Sequence, residues 1–146
     1  MKEFSMTTTH YTSRPLLASD APHVARIDAM QSENPMGAEQ IRKMVSRQHI
    51  GGLVVENSEG VIVAWCMHLR CHGVLDVVRF QGHIEFDALL PFEVMTDYLI
   101  AKPCDKVVVS VSRRNWKVAN NLEEYGFKCN QNESSGLSVV VLEYTP

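Results

Sequence analysis

"VVVSVSRRNWKVANNLEEYGFK", Val107 to Lys128, decides how this chain is read. It opens on an apolar run of the kind expected of a strand covered on both faces. Two arginines follow, Asn115 offers a helix N-cap, and Trp116, Ala119 and Leu122 recur at the spacing of one helical face. Gly126 supplies a left-handed stop. A strand that runs straight into a helix points to a crossover in a sheet covered by helices.

Working outward, "GLSVVVLEYTP" closes the chain as a last strand, and "FDALLPFEVMTDYLIAK" reads as a helix with Pro91 in its first turn. "GGLVVENSEGVIVAWCMHL" is two β-rich runs around "NSEG", whose Asn57 and Gly60 suit a tight reversal, and "HGVLDVVRF" pairs as a third antiparallel strand. Near the start, Leu16 and Leu17 form a short apolar strand. Ser19 and Asp20 offer an N-cap before a helix with Val24, Ile27 and Met30 on one face, and Ile41, Met44 and Val45 mark a second helix. The expected fold class is α/β (α+β), a mixed central sheet of about six strands flanked by about four helices. Residues 13–146 form one domain behind a flexible segment, residues 1–12.

A chain of 146 residues with 45% hydrophobic and 21% charged residues buries one proper core. The net charge of -3 gives no general attraction to nucleic acid or to an anionic membrane, and neither is expected as a partner. Four cysteines without Cys-x-x-Cys spacing, and a first segment without an apolar signal core, lead to the expectation of a cytoplasmic protein with reduced thiols.

The stretches "RPLLASDAPHVARI", "GGLVVENSEGVIVAWCMHL" and above all "VVVSVSRRNWKVANNLEEYGFK" resemble the GNAT superfamily of N-acetyltransferases, most of all its ribosomal-protein alanine acetyltransferase type. The similarity covers about residues 13 to 144. It implies the GNAT fold and acetyl transfer from acetyl-CoA to a primary amine, on a small molecule or a protein N-terminus, by direct attack. By the same resemblance, backbone amides after Val77 and Val78 hold the pantetheine arm and Asn115 supports it. The pyrophosphate loop of the family, a run of glycines after an Arg or Gln, is degenerate. "RFQGHI" supplies only Arg79 and Gly82 as cofactor-binding residues, and Glu85 and Asp87 stand where the loop should be cationic or glycine-rich.

The other family positions also depart from the pattern. Leu122 stands where the acid, a tyrosine, is expected, and Tyr125 lies about 300° further round a helix of roughly 3.6 residues per turn, as a substitute acid. Ser110 replaces the glutamate base, which leaves Asp76, with His72 and His83 behind it, as replacement bases. The catalytic candidates are therefore Tyr125 and Asp76. The alternative is a catalytically inactive GNAT-like domain that binds or regulates a protein partner, or self-associates as a homodimer. Cys66, His68, Cys71 and His72 carry zinc-ligand chemistry without the paired spacing of a zinc site, so no metal is expected.

Overall fold

The computed structural model describes residues 10–83, 89–130 and 138–146. In chain order the elements are β1 (Thr12–Pro15), α1 (Ala21–Gln31), α2 (Ala38–Val45), β2 (Ile50–Glu56), β3 (Ile62–Cys71) and β4 (Val74–Gly82). Then come α3 (Leu90–Ile100), β5 (Lys106–Ser112), α4 (Trp116–Glu124), β6 (Lys128–Cys129) and β7 (Val139–Tyr144). The strands form one mixed sheet in the order β1-β2-β3-β4-β5-β7-β6. Its neighbours are antiparallel except β4 and β5, which run parallel, with α3 as their crossover.

Each face of the sheet has its own core. Val24 and Ile27 of α1 and Ile41 of α2 pack on Val54, Trp65 and Met67. Phe92, Met95 and Leu99 of α3, with Val118 and Leu122 of α4, pack on Leu53, Val55, Leu75, Val77 and Val109. Period-two alternation explains the division, since Leu53 and Val54 are neighbours in sequence and serve opposite cores. Gly52 is required where β2 crosses β3, because a Cβ there would run into the backbone carbonyl of Cys66.

The hairpin follows the sequence closely. The Asn57 side chain accepts the N–H groups of Glu59 and Val61, and Gly60 turns the chain at φ 79°. Gly126 stops α4 at φ 105°, and Pro91 lies in the first turn of α3.

The mixed sheet flanked by helices is as expected, with seven strands among the described residues where about six were expected, the added one being β6, only two residues long and too short to show alternation. Other expectations are corrected. The first strand precedes Leu16 and Leu17, and of the segment 1–12 expected to be flexible, Thr12 opens β1. Strand β5 is not covered equally on both faces: Val107, Val109 and Val111 are buried, whereas Val108, Ser110 and Ser112 are half-exposed. Helix α4 buries Val118, Asn121 and Leu122, so the face is rotated from the expected one and Trp116 stands 61% exposed. Met30 is likewise exposed. Asp20 makes no side-chain cap bond to α1; its carboxylate accepts two bonds from Arg14 and the N–H of Leu17, which closes the 3-10 turn Ala18–Asp20 and ties β1 to it.

Among the described residues no helix is long and apolar enough to cross a membrane. Gly52→Ala is expected to destabilise the fold by about 1–3 kcal/mol through overpacking at this crossing. The urea midpoint checks it, and Gly37→Ala, where nothing lies within 4 Å of the new Cβ, serves as control.

Candidate active site

Strands β4 and β5 separate. Their parallel pairing runs from Val74↔Lys106 to Val77↔Val109 and ends there, although β4 continues to Gly82 and β5 to Ser112. On the other side of β4, Arg79 pairs with Met67 and Val77 with His68, so Val78 is an extra residue, a β-bulge. The bulge puts Val78 and Arg79 on the same face, toward α1, while Val77 and Phe80 both join the core under α3. Beyond Val77, the β5-facing edge of β4 has no strand partner among the described residues.

The gap is a cleft of about 440 Å3. One wall is the end of α1 and the loop after it, from Gln31 to Asn34. Opposite stand Ser110 and Ser112 of β5, followed by Arg114 and Asn115, and Asp76 and Val78 lie on the floor.

A buried carboxylate fixes the first wall. Asp28, on the last turns of α1, is fully buried and accepts four hydrogen bonds. The donors are the hydroxyl of Ser32, the N–H of Met36 at 2.7 Å, Arg79 Nε at 2.6 Å and Gln81 Nε2 at 2.9 Å. Burial pushes the Asp28 carboxyl up, but these donors outweigh it and hold the group below its ordinary range. Gln81 passes the chain on by accepting Trp65 Nε1 at 2.9 Å. Gln31 Nε2 donates to the carbonyl of Gly82, a second tie from α1 to β4.

The expected site residues divide accordingly. Val78, Arg79, Asn115 and Asp76 line the cleft, and Val77 closes its floor from the buried side. The nitrogens of Arg79 are engaged: Nε on Asp28, one terminal nitrogen on the carbonyl of Val78 and the other on that of Asn34. Gly82 is buried in β4, where an added Cβ would meet the Phe92 ring at 2.8 Å, so its smallness serves packing against α3. Asn115 starts α4 through its backbone, its carbonyl accepting the N–H of Val118 and Ala119, and its side chain makes no cap bond. Asp76 carries no ion-pair partner among the described residues; although it is open to solvent, burial by the cleft walls pushes its carboxyl up.

Tyr125 does not line the cleft. It packs against the core under α3, and partial burial, then the carboxylates of Asp97 and Glu93, keep its phenol protonated to higher pH. Leu122 is fully buried and faces no solvent. His72 lies in the β3–β4 turn at φ 51°, and His83 borders a separate pocket beside Arg26 and Val61. The expected loop positions Glu85 and Asp87 lie outside the described residues. Cys66 and His68 sit in the interior, where His68 Nε2 meets Tyr98 Oη at 2.7 Å; no group of three or more acidic, His or Cys side chains suited to a metal occurs among the described residues.

Sequence reasoning missed Asp28, Gln81 and Ser32. A usable signal was present for Asp28, which falls four residues after Val24 and one after Ile27, on the apolar stripe of α1. A carboxylate in such a place is buried and therefore needs donors.

The fold is that of the GNAT acetyltransferases. The ribosomal-protein-S18-alanine N-acetyltransferase of Escherichia coli superposes with a TM-score of 0.74 at 11% identity, covering 93% of this chain and 94% of that one. The PaiA N-acetyltransferase of Thermoplasma acidophilum, solved with coenzyme A, gives a TM-score of 0.75 at 13% identity over 94% and 99% of the two chains. The spermidine/spermine N-acetyltransferase SpeG of Vibrio cholerae gives 0.70 at 16% identity over 92% and 93%. No family model and no curated protein matches the sequence.

Asp28→Ala strands Arg79 beside an empty socket and is expected to cost about 3–5 kcal/mol, the usual consequence of breaking a buried pair. A urea titration measures it. Because the folded-state carboxyl is held low, its contribution is complete above an unfolded pKa of about 4 and is lost as pH falls through the folded value. The gap between wild type and variant should therefore close on acidification.

Proposed function

We propose that this protein, built on the acetyltransferase fold, transfers an acetyl group from acetyl-CoA to a primary amine in the cleft between β4 and β5. The observation that carries the reading is the end of β4–β5 pairing at Val77↔Val109, next to the bulge at Val78. It leaves a length of β4 edge without a ladder partner among the described residues, facing a polar wall of Ser110, Ser112 and Asn115. An extended chain of amides, which is what the pantetheine arm of the cofactor is, fits such an edge by adding hydrogen bonds as a strand would. When bound, acetyl-CoA supplies an activated thioester carbonyl.

The residues of the chain do the rest. Backbone amides after Val77 and Val78 orient the donor, and the Asn115 side chain, free of capping duty, supports the arm from the other side. Asp76 takes the proton of the incoming ammonium; its carboxyl, pushed up by burial, is a better base than an ordinary aspartate. With Asp76 holding one proton of the ammonium, the amine nitrogen would bond to the carbonyl carbon as the carbon–sulfur bond breaks, and the second proton of the nitrogen would pass through water to the departing CoA sulfur. Tyr125 would serve as the acid instead only by leaving Asp97 and turning into the cleft. Arg79 and Gly82, fully used inside the protein, shape the wall and do not grip phosphate. The acceptor is the amine of a small molecule or of a protein N-terminus, and the four free thiols suit a cytoplasmic setting.

A second reading keeps the fold without the reaction, as a binding or regulatory module for a protein partner or a second copy of the chain. Leucine in place of the acid at position 122 and serine in place of the base at 110 favour it.

Calorimetric titration with acetyl-CoA separates the two. The transferase reading expects micromolar binding, which at 100 times Kd adds about 2.7 kcal/mol to the folded state. It also expects Asp76→Asn to lose about 10²-fold or more in kcat with acetyl-CoA binding retained. No heat at millimolar cofactor would retire it in favour of the module.

A further inference from the structure

We infer that the cleft selects a dipolar acceptor, an amine that carries its own carboxylate, and rejects polyamines. This rests on the transferase reading only for the word acceptor; the recognition itself is a property of the cleft charges.

Among the described residues four charged side chains line the cleft, and one is spent. Arg79 is neutralised by Asp28 at 2.6 Å and bonded on its remaining nitrogens to backbone carbonyls. Glu33 on the α1–α2 loop, Asp76 on the floor and Arg114 on the β5–α4 loop have no ion-pair partner among the described residues. Arg114 donates its backbone N–H to the hydroxyl of Ser112, and the exposed residue lines the cleft with no ion pair among the described residues to hold its guanidinium. Asp76, whose neutral form is favoured by burial, gains most from a cation placed beside it.

The unpaired charges are thus two carboxylates, at the floor and on one rim, and one guanidinium on the other rim. A monoamine satisfies Asp76 and leaves Arg114 unused. A diamine or polyamine that meets Asp76 with one ammonium carries its second positive charge a few atoms away toward the rim held by Arg114, where like charges repel. An amine with a carboxylate a few atoms away meets Asp76 with its ammonium and Arg114 with its carboxylate, in the two-point geometry a guanidinium favours. Amino acids and short peptides with an acidic group are acceptors of this class.

Three probes of nearly equal length isolate the terminal group: butylamine ends in a methyl, γ-aminobutyrate in a carboxylate, putrescine in an ammonium. Each is titrated calorimetrically into the wild-type protein, with and without CoA, and assayed as acetyl acceptor with acetyl-CoA. The expected order of affinity is γ-aminobutyrate first by about tenfold over butylamine, which corresponds to roughly 1.4 kcal/mol, and putrescine last. Arg114→Glu, an exposed substitution whose thermal midpoint should match wild type, is expected to invert the order and place putrescine first.

Equal affinity for the three probes, or putrescine first in wild type, would overturn the inference while leaving acetyl transfer itself standing. An unchanged order in Arg114→Glu, with weaker acetyl-CoA binding alone, would also overturn it and give the guanidinium to the cofactor. The expected order with inversion but no acetyl transfer would uphold the dipolar site and retire the transferase reading instead.

Discussion

The carboxylate of Asp28 is the constraint from which the rest of the cleft follows. It lies wholly inside the protein, where a lone charge would be intolerable, and its donors come from separate segments: its own helix end, the loop before α2, and two positions of β4. A charge solvated only by protein fixes all of its partners at once. Arg79, drawn in from the bulge, in turn holds the carbonyl of Asn34, so the wall of the cleft and the floor of the cleft form one hydrogen-bonded body. The α1 side of the site is held by this charge and its donors in addition to the packing of Val24 and Ile27.

The other side is shaped by backbone geometry. One extra residue at Val78 turns two successive side chains to the same face, and at that point β4 parts from β5. Neither event needs a special side chain. It follows that the side chains of Leu122 and Ser110 do not decide whether the cleft is open, because its opening depends on strand register.

Much of the architecture was legible because it rests on periodicity. The hairpin at Asn57 to Gly60, the stop at Gly126, the Pro91 start and the order of helices and strands all carry local signals that the structure reproduces. What was not legible depends on partners distant in sequence. The pairing of Asp28 with Arg79 and Gln81 spans half a hundred residues, and the bulge at Val78 leaves no mark in an unbroken run of β-formers. Arg79 and Gly82, expected from their likeness to fragments of a phosphate loop, have neighbours that the local sequence does not show, a buried charge for one and an aromatic ring for the other. Trp116, read as core, is exposed because Val118, one turn before Leu122 and directly above it on the helix, takes the buried place on α4.

The parallel ladder between β4 and β5 also bears on how the chain reaches this structure. It is short, it is the sheet's one parallel contact among the described strands, and it joins two antiparallel halves, β1 to β4 and β5 to β7. Within the first half, the pairing of β2, β3 and β4 closes loops of a few residues, at little entropic cost. Joining the halves requires the whole crossover through α3 to be fixed first, for few hydrogen bonds in return. The gap that admits a ligand in the finished protein is thus the same place where the assembling chain has least local help, and the packing of α3 across both halves supplies what that ladder lacks.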